Sequence, residues 1–161
     1  MQRQGIVRVL ALVLIAAAIP YAICDTLETG RVYLFSSQFP EDVARRFRSP
    51  MRFRFILQPT LAILAGVRGG LADARAGSPP YLFGLIFGTG GRRELLRTGL
   101  AAIGTLLSLG IILDLVYQLV VEHTVHPGAA LVVGPILICT PYALARALTT
   151  RTARWFGLGG A

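Results

Sequence analysis

The sequence has no lysine and few charged residues of any kind. Charged side chains make up 15% of its 161 residues, whereas hydrophobic residues make up 54%. An average soluble domain carries about 25% charged residues, so this shortage argues against a soluble domain and predicts an integral membrane protein. All 16 basic residues are arginine, and their excess over eight acids gives a net charge of +8. Because the arginines flank apolar runs, we expect them to meet anionic lipid headgroups and not nucleic acid.

Cysteine and histidine are also scarce, with two residues of each. Cys24 and Cys139 lie in separate apolar runs, which predicts two free thiols instead of a disulfide. His123 and His126, with Glu122 nearby, have a spacing that zinc could use, but we interpret them as part of a polar turn. No serine or cysteine inside the apolar runs has a histidine near it in sequence. We therefore predict no metal site, no cofactor and no catalytic residue, so the chain is not expected to be an enzyme.

Long apolar runs dominate what is present. Four of them predict transmembrane helices, at residues 6–24, 53–70, 99–121 and 129–148. The run at 53–70 is the weakest, because its uninterrupted apolar part has 13 residues, which is about 20 Å of helix. Residues 81–97 are predicted to form one amphipathic helix in the membrane interface. The sequence thus predicts an all-α fold in a single membrane domain over residues 1–161, with three spans as the alternative.

The arginines also bear on the number of spans. With four spans, both termini and the loop between the second and third spans share one face that holds ten arginines, against six on the other face. With three spans the division is fourteen to two, which the positive-inside rule favours. Hydropathy and the small-residue pattern favour four. We therefore predict a multi-pass membrane protein with both termini cytoplasmic, in which residues 6–24 are an uncleaved span and not a signal peptide.

One acid, Asp114, lies well inside the third run. A carboxylate at such depth costs about 2.5–3.5 kcal/mol, so it needs a partner or a function. On a helix it shares a face with Tyr117, Gln118 and Glu122, which form a polar stripe leading to the edge of the run. We interpret this stripe as a contact between helices, made by hydrogen bonds or an arginine pair, with Gln58 of the second run as a candidate partner. The alternative is a path for a proton or a cation.

Small residues predict where helices approach closely. Ala62, Gly66 and Gly70 stand four residues apart in the second run, and Gly104 and Ser108 repeat this spacing in the third. Such small-xxx-small patterns let two helices pack at short distance in a membrane. The sequence therefore predicts helix packing at both places.

Arginines near the ends of the runs predict contacts with the membrane surface. Arg54 and Arg68 bracket the second run and are expected to snorkel to opposite interfaces. Arg92, Arg93 and Arg97 precede the third run. They are predicted to contact the phosphates of lipid headgroups.

Several short strings carry a resemblance to a known family. They are RFILQP at 54–59, DARAG at 73–77, PPY at 79–81, RRELLR at 92–97, LD at 113–114 with YQ at 117–118, and PYALAR at 141–146. Together they resemble a family of small bacterial inner-membrane proteins without an established activity, over about residues 52–154. The chain departs from that pattern at Gly128 and Ala129, where an acid is expected after Pro-Gly. The resemblance implies a multi-span membrane protein and implies no activity or site residue.

These observations predict a small polytopic membrane protein that acts without catalysis, as a scaffold or an assembly partner. Its expected partners are the bilayer with its anionic headgroups, and either further copies of the chain or other membrane proteins. The alternative is a small oligomeric transporter, or a proton- or ion-conducting protein, that uses Asp114.

Overall fold

A computed structural model of the chain describes residues 38–46, 48, 52–88, 91–123 and 126–157, and scattered positions between residues 6 and 27. Every regular element in these stretches is a helix, which confirms the predicted all-α fold for them. The elements are α1 (Gln38–Arg46), α2 (Arg54–Arg75), α3 (Tyr81–Phe87), α4 (Arg92–Tyr117) with a following π-helical turn (Gln118–Glu122), and α5 (Pro127–Trp155).

Three helical stretches are long and apolar enough to cross a membrane. They are Arg54–Arg75, Arg92–Glu122 and Ala129–Trp155, with 22, 31 and 27 residues. These stretches correspond to the predicted second, third and fourth spans. Of the predicted first span, residues 6–24, eleven positions are described and each is helical, while the other positions lie outside the described residues.

The second span is longer than its apolar run because the helix continues into polar sequence. α2 passes through Pro59 and reaches Arg75, so its 22 residues extend about 33 Å. Its end is closed by two backbone hydrogen bonds, from Gly77 N–H to the Ala74 carbonyl and from Ser78 N–H to the Asp73 carbonyl. Gly77 supplies the left-handed conformation that this ending requires, with φ of 66°.

The predicted single helix over residues 81–97 is wrong, because the segment divides at its glycines. α3 ends where Gly88 adopts φ of 75°. Gly91 also has a positive φ, of 82°, and α4 begins at the next residue. Residues 92–97 therefore form the first turns of the long α4.

The end of α4 is irregular. Its last turn, Gln118–Glu122, is π-helical and stops at His123, which adopts the left-handed conformation with φ of 53°. A π-helical turn rotates the side chains that follow it relative to a regular α-helix. Gln118, the first residue of this turn, is buried and belongs to the site described below.

The chain forms two compact units. Unit 1 consists of Met1–Ile56 and Leu107–Ile136, and unit 2 consists of Leu57–Leu106 and Leu137–Ala161. In unit 1, Ile111, Leu115 and Ala130 form a buried cluster, against which Leu14 and Leu107 pack. Leu14 belongs to the predicted first span, so at least this position contributes to the core of unit 1.

The core of unit 2 includes several small residues and two tyrosine rings, those of Tyr81 and Tyr142. Fully or almost fully buried are Ala62 and Ala74 of α2, and Ile138 and Tyr142 of α5. Small side chains on α2 leave room for α5 to approach its backbone. This close approach places the polar groups of the two helices within bonding distance.

Candidate functional site

Asp114 forms a buried ion pair with Arg54 in unit 1. Arg54 Nη2 donates to Asp114 Oδ1 over 2.5 Å, and the two side chains are 4% and 2% exposed. Arg54 is the first residue of α2, and Asp114 lies in the last turn of α4, so the pair joins these helices. The expectation that Arg54 snorkels to an interface is therefore wrong, because its guanidinium is taken up by a carboxylate inside the protein.

The second oxygen of Asp114 is also engaged. Gln118 Nε2 donates to Asp114 Oδ2 over 2.7 Å. The other side-chain atom of Gln118, Oε1, accepts the backbone N–H of His126 over 2.5 Å. The buried amide of Gln118 thus links the carboxylate to the residue that precedes α5.

Aromatic rings surround the guanidinium of this pair. Arg54 Cζ lies 5.0 Å from the centroid of the Phe55 ring and 5.1 Å from that of Tyr117. The faces of aromatic rings attract a cation at such distances. Of the predicted polar stripe, Asp114, Tyr117 and Gln118 are therefore brought together in this site, while Glu122 is only partly buried.

One donor of the site lacks an acceptor among the described residues. The Nε–H of Arg54 is buried and makes no hydrogen bond within that part of the chain. A buried N–H without a partner costs free energy because it has lost its water. The guanidinium therefore depends on Asp114 and on the two rings for its compensation.

Gln58, the predicted partner of Asp114, is buried in α2 one turn after Arg54. It belongs to unit 2 whereas Asp114 belongs to unit 1, and a contact between them stays a prediction. The signal for the partner that the structure does show was available in the sequence. Arg54 stands at the start of the second run and Asp114 near the end of the third, and antiparallel neighbouring helices bring such positions together.

A second buried ion pair, which the sequence analysis did not predict, lies in unit 2. Arg146 Nε and Nη2 donate to the two carboxylate oxygens of Asp73 over 2.7 and 2.8 Å. The third nitrogen, Nη1, donates to the Tyr142 hydroxyl over 2.9 Å. The Tyr81 ring covers the guanidinium, with 4.4 Å from Arg146 Cζ to the ring centroid. This two-pronged arrangement is the strongest geometry available to an arginine and a carboxylate.

The sequence analysis missed this pair because it placed the end of the second span at residue 70. A signal was nevertheless present, since Asp73 continues the face defined by Gly66 and Gly70 at helical spacing. Tyr142 and Arg146 are also four residues apart and thus share a face of α5. A small-residue face that ends in an acid, opposite a face that carries an arginine, predicts such a contact.

The predicted packing glycines of α2 lie against α5 within unit 2. A Cβ atom added to Gly66 would lie 2.6 Å from the Tyr142 carbonyl oxygen, and one added to Gly70 would lie 2.5 Å from the Arg146 carbonyl oxygen. Thr150 Oγ1 donates across the same contact to the Gly70 carbonyl over 3.2 Å. Ala62 is fully buried, while Gly104 and Ser108 of α4 are partly buried.

The three arginines predicted to meet lipid headgroups are all exposed, but they have different surroundings. Arg92 Nη2 donates to the Ile86 carbonyl at the end of α3 over 2.6 Å. Arg97 Nε lies 3.2 Å from Glu94 Oε2 in a surface ion pair. Arg93 is exposed and makes no ion pair with any residue that the structure describes.

Tyr81 gives unit 2 a group that responds to alkaline pH. Its ring meets that of Tyr142 edge to face, with 5.7 Å between centroids. Burial raises the pKa of the Tyr81 hydroxyl above its ordinary value, the nearby Tyr142 adds to the rise, and the Arg146 guanidinium offsets part of it. Gly99 leaves room for this hydroxyl, since a Cβ atom there would overlap it.

We expect the stability that Tyr81 contributes to be lost at high pH. In the unfolded chain tyrosine ionises near pH 10, while the folded protein holds the Tyr81 proton to a higher pH, so the unfolded state is favoured as pH rises above about 10. Unfolding should be compared at about pH 9 and about pH 11 for the parent chain and Tyr81→Phe. Tyr81→Phe is expected to lose less stability than the parent chain between these two pH values. An equal loss of stability in both chains would contradict this role of Tyr81.

In both sites a buried carboxylate pairs with a buried arginine. Among the residues that the structure describes, no group of three or more histidine, cysteine, aspartate and glutamate side chains could hold a metal ion. Asp114 and Asp73 each meet an arginine, and the remaining polar contacts hold helices in place. No family model matches the chain, and neither a curated protein nor a solved structure matches it.

Proposed function

We propose that the chain is a small four-span protein of the bacterial inner membrane that acts without catalysis, as a scaffold or assembly partner. The observation that carries the proposal is that its buried acids form ion pairs with buried arginines of the same chain. Asp114 accepts from Arg54, and Asp73 accepts from Arg146, each within its own unit. Breaking a buried ion pair is strongly destabilising, so pairs of this kind help to hold their helices together.

The outer surface of the apolar helices supports the same proposal. Large aliphatic side chains are exposed along α2, the π-helical turn after α4, and α5, among them Ile56 at 73%, Val120 at 63% and Ile136 at 59%. Such a surface suits lipid or another apolar helix and offers no group for acid–base chemistry. The described positions of residues 6–24 support a fourth span, because they are helical and include exposed Ile6, Leu12 and Ile23.

Conduction by an oligomer around Asp114 is the competing proposal. It is less favoured because both carboxylate oxygens already accept hydrogen bonds, from Arg54 and Gln118. A carboxylate that transfers protons or cations along a pathway needs an oxygen that these ions can reach. The geometry at Asp114 therefore favours a contact that joins helices.

We expect the purified full chain to elute in mild detergent as an oligomer or with a partner of fixed stoichiometry, as measured by light scattering. Gly104 and Ser108 are candidates for the contact, since both keep part of their surface exposed. Gly104→Val is expected to break the assembly because the added side chain separates the helices. Ala102→Val is the matched control, since it adds similar bulk to the same helix at an exposed position.

A monomer without a partner would contradict the scaffold proposal. A proton flux in liposomes that Asp114→Asn abolishes, with unchanged expression, would also contradict it and would support conduction. Both outcomes are measured on the same preparations. The comparison therefore decides between the two functions.

A further inference from the structure

Unit 2 carries a large excess of positive charge. It contains eight arginines and only two acids. Both acids have partners, since Asp73 pairs with Arg146 and Glu94 pairs with Arg97. The other arginines are exposed, namely Arg68, Arg75, Arg92, Arg93, Arg151 and Arg154. Their charge is not compensated by any acid of the unit.

Most of these arginines lie at or near helix ends. Arg154 Nη2 donates to the Ser78 carbonyl, which joins the end of α5 to the turn after α2. Arg92 makes its bond to Ile86 between the start of α4 and the end of α3. The first contact thus joins the end of α5 to the turn after α2, and the second joins the start of α4 to the end of α3. We name this region the arginine end, composed of Arg75, Arg92, Arg93, Arg151 and Arg154.

Helix dipoles explain only part of this charge, because they favour Arg75 and Arg154, which lie in the last turns of α2 and α5. Arg92 and Arg93 are the first two residues of α4, where the helix dipole disfavours a cation. Arg92 and Arg154 each use one N–H on a carbonyl, and a guanidinium has several more to donate. An anion outside the protein would offset the unfavourable charge and would use the remaining donors.

Exposed aromatic rings at the same end indicate which anion fits. Phe87 on α3 is 66% exposed, and Trp155 and Phe156 at the end of α5 are 86% and 76% exposed. Aromatic side chains of this kind lie at the level of lipid headgroups, where hydrocarbon meets phosphate. Cations beside exposed rings therefore match a phospholipid better than a free phosphate, which has no apolar part.

We propose that the arginine end binds the phosphate groups of anionic phospholipids, and that the bound lipid stabilises the folded protein. The inference rests on the membrane placement under the proposed function. It assigns a role to Arg75, Arg93 and Arg151, which form no ion pair with the residues that the structure describes. It also leaves out Arg97, because Glu94 already neutralises that side chain.

The test measures thermal unfolding and lipid binding of the full chain purified in a neutral detergent. Phosphatidylglycerol is the anionic probe, phosphatidylcholine the neutral one, and inorganic phosphate the free anion. We expect phosphatidylglycerol alone to raise the unfolding temperature. Arg93→Gln/Arg151→Gln should weaken its binding by about 30-fold, from the attraction that two arginines supply at an anionic membrane surface.

Arg48→Gln/Arg52→Gln is the matched control, because it removes the same charge at exposed positions outside unit 2. Equal weakening by both double variants would overturn the inference, since it would reflect net charge alone. Protection by inorganic phosphate equal to that by phosphatidylglycerol would overturn it as well. A chain that alkaline carbonate strips from membranes would refute the proposed function itself, whereas a membrane-embedded chain without lipid preference would refute only this inference.

Discussion

Replacing Asp114 with alanine is expected to lower the free energy of unfolding by about 3–5 kcal/mol, the cost of leaving a buried charge without its partner. The guanidinium of Arg54 would then lose the acceptor of its Nη2, which lies 2.5 Å away. Its Nε–H already lacks an acceptor in the described part of the chain. Gln118 would also lose the acceptor of its side-chain N–H. Denaturant titration in mild detergent, followed by circular dichroism, measures the loss.

A double-mutant cycle separates the pair from the loss of single side chains. Arg54→Leu/Asp114→Leu is expected to recover most of the stability, because two apolar side chains can replace a buried ion pair at little cost. The matched control is the pair of Glu94 and Arg97, whose side chains are 60% and 79% exposed. Breaking that pair should cost less than about 1 kcal/mol. An equally small cost at Asp114 would show that the contact with Arg54 does not hold α2 to α4.

The sequence was most informative where the physical signal is local. The long apolar runs predicted the three helices that could cross a membrane, because the backbone of a spanning segment must satisfy its own hydrogen bonds. The polar stripe of α4 was also identifiable, because Asp114, Tyr117 and Gln118 lie three and four residues apart and such residues share a helix face. Both predictions needed only residues that are close to one another in the sequence.

Two of the failures share a cause, because each depended on a contact between distant parts of the chain, whereas the helix over residues 81–97 failed locally at Gly88 and Gly91. Arg54 was expected at the membrane surface, since nothing in its own run offers a counter-charge. Its partner stands 60 residues later. The pair of Asp73 with Arg146 was missed for a similar reason, because Asp73 is polar on its own and becomes suited to a helix interior only beside Arg146. A buried pair is therefore hard to predict when its arginine and aspartate are far apart in the sequence.

The largest steric effect is expected at Gly70, where alanine should lower the free energy of unfolding by about 3 kcal/mol, near the upper end of overpacking penalties. The added Cβ would lie 2.5 Å from the Arg146 carbonyl oxygen and 2.7 Å from Thr149 Cβ. The first of these atoms is backbone and cannot rotate away, so α5 itself must move. That movement would also lengthen the hydrogen bond from Thr150 Oγ1 to the Gly70 carbonyl.

Gly134→Ala is the control for this substitution, because it makes the same exchange inside a helix without a clash. The nearest atom to a Cβ at Gly134 is Ile111 Cγ1 at 3.5 Å, an ordinary van der Waals contact. Alanine there should raise stability by up to about 1 kcal/mol through its better helix propensity. A stabilising Gly70→Ala would show that α2 and α5 do not approach as closely as the structure has them. If Gly70→Ala lowers the free energy of unfolding and Gly134→Ala raises it, the close approach of α2 and α5 stabilises unit 2. The same approach sets the distance between Asp73 and Arg146.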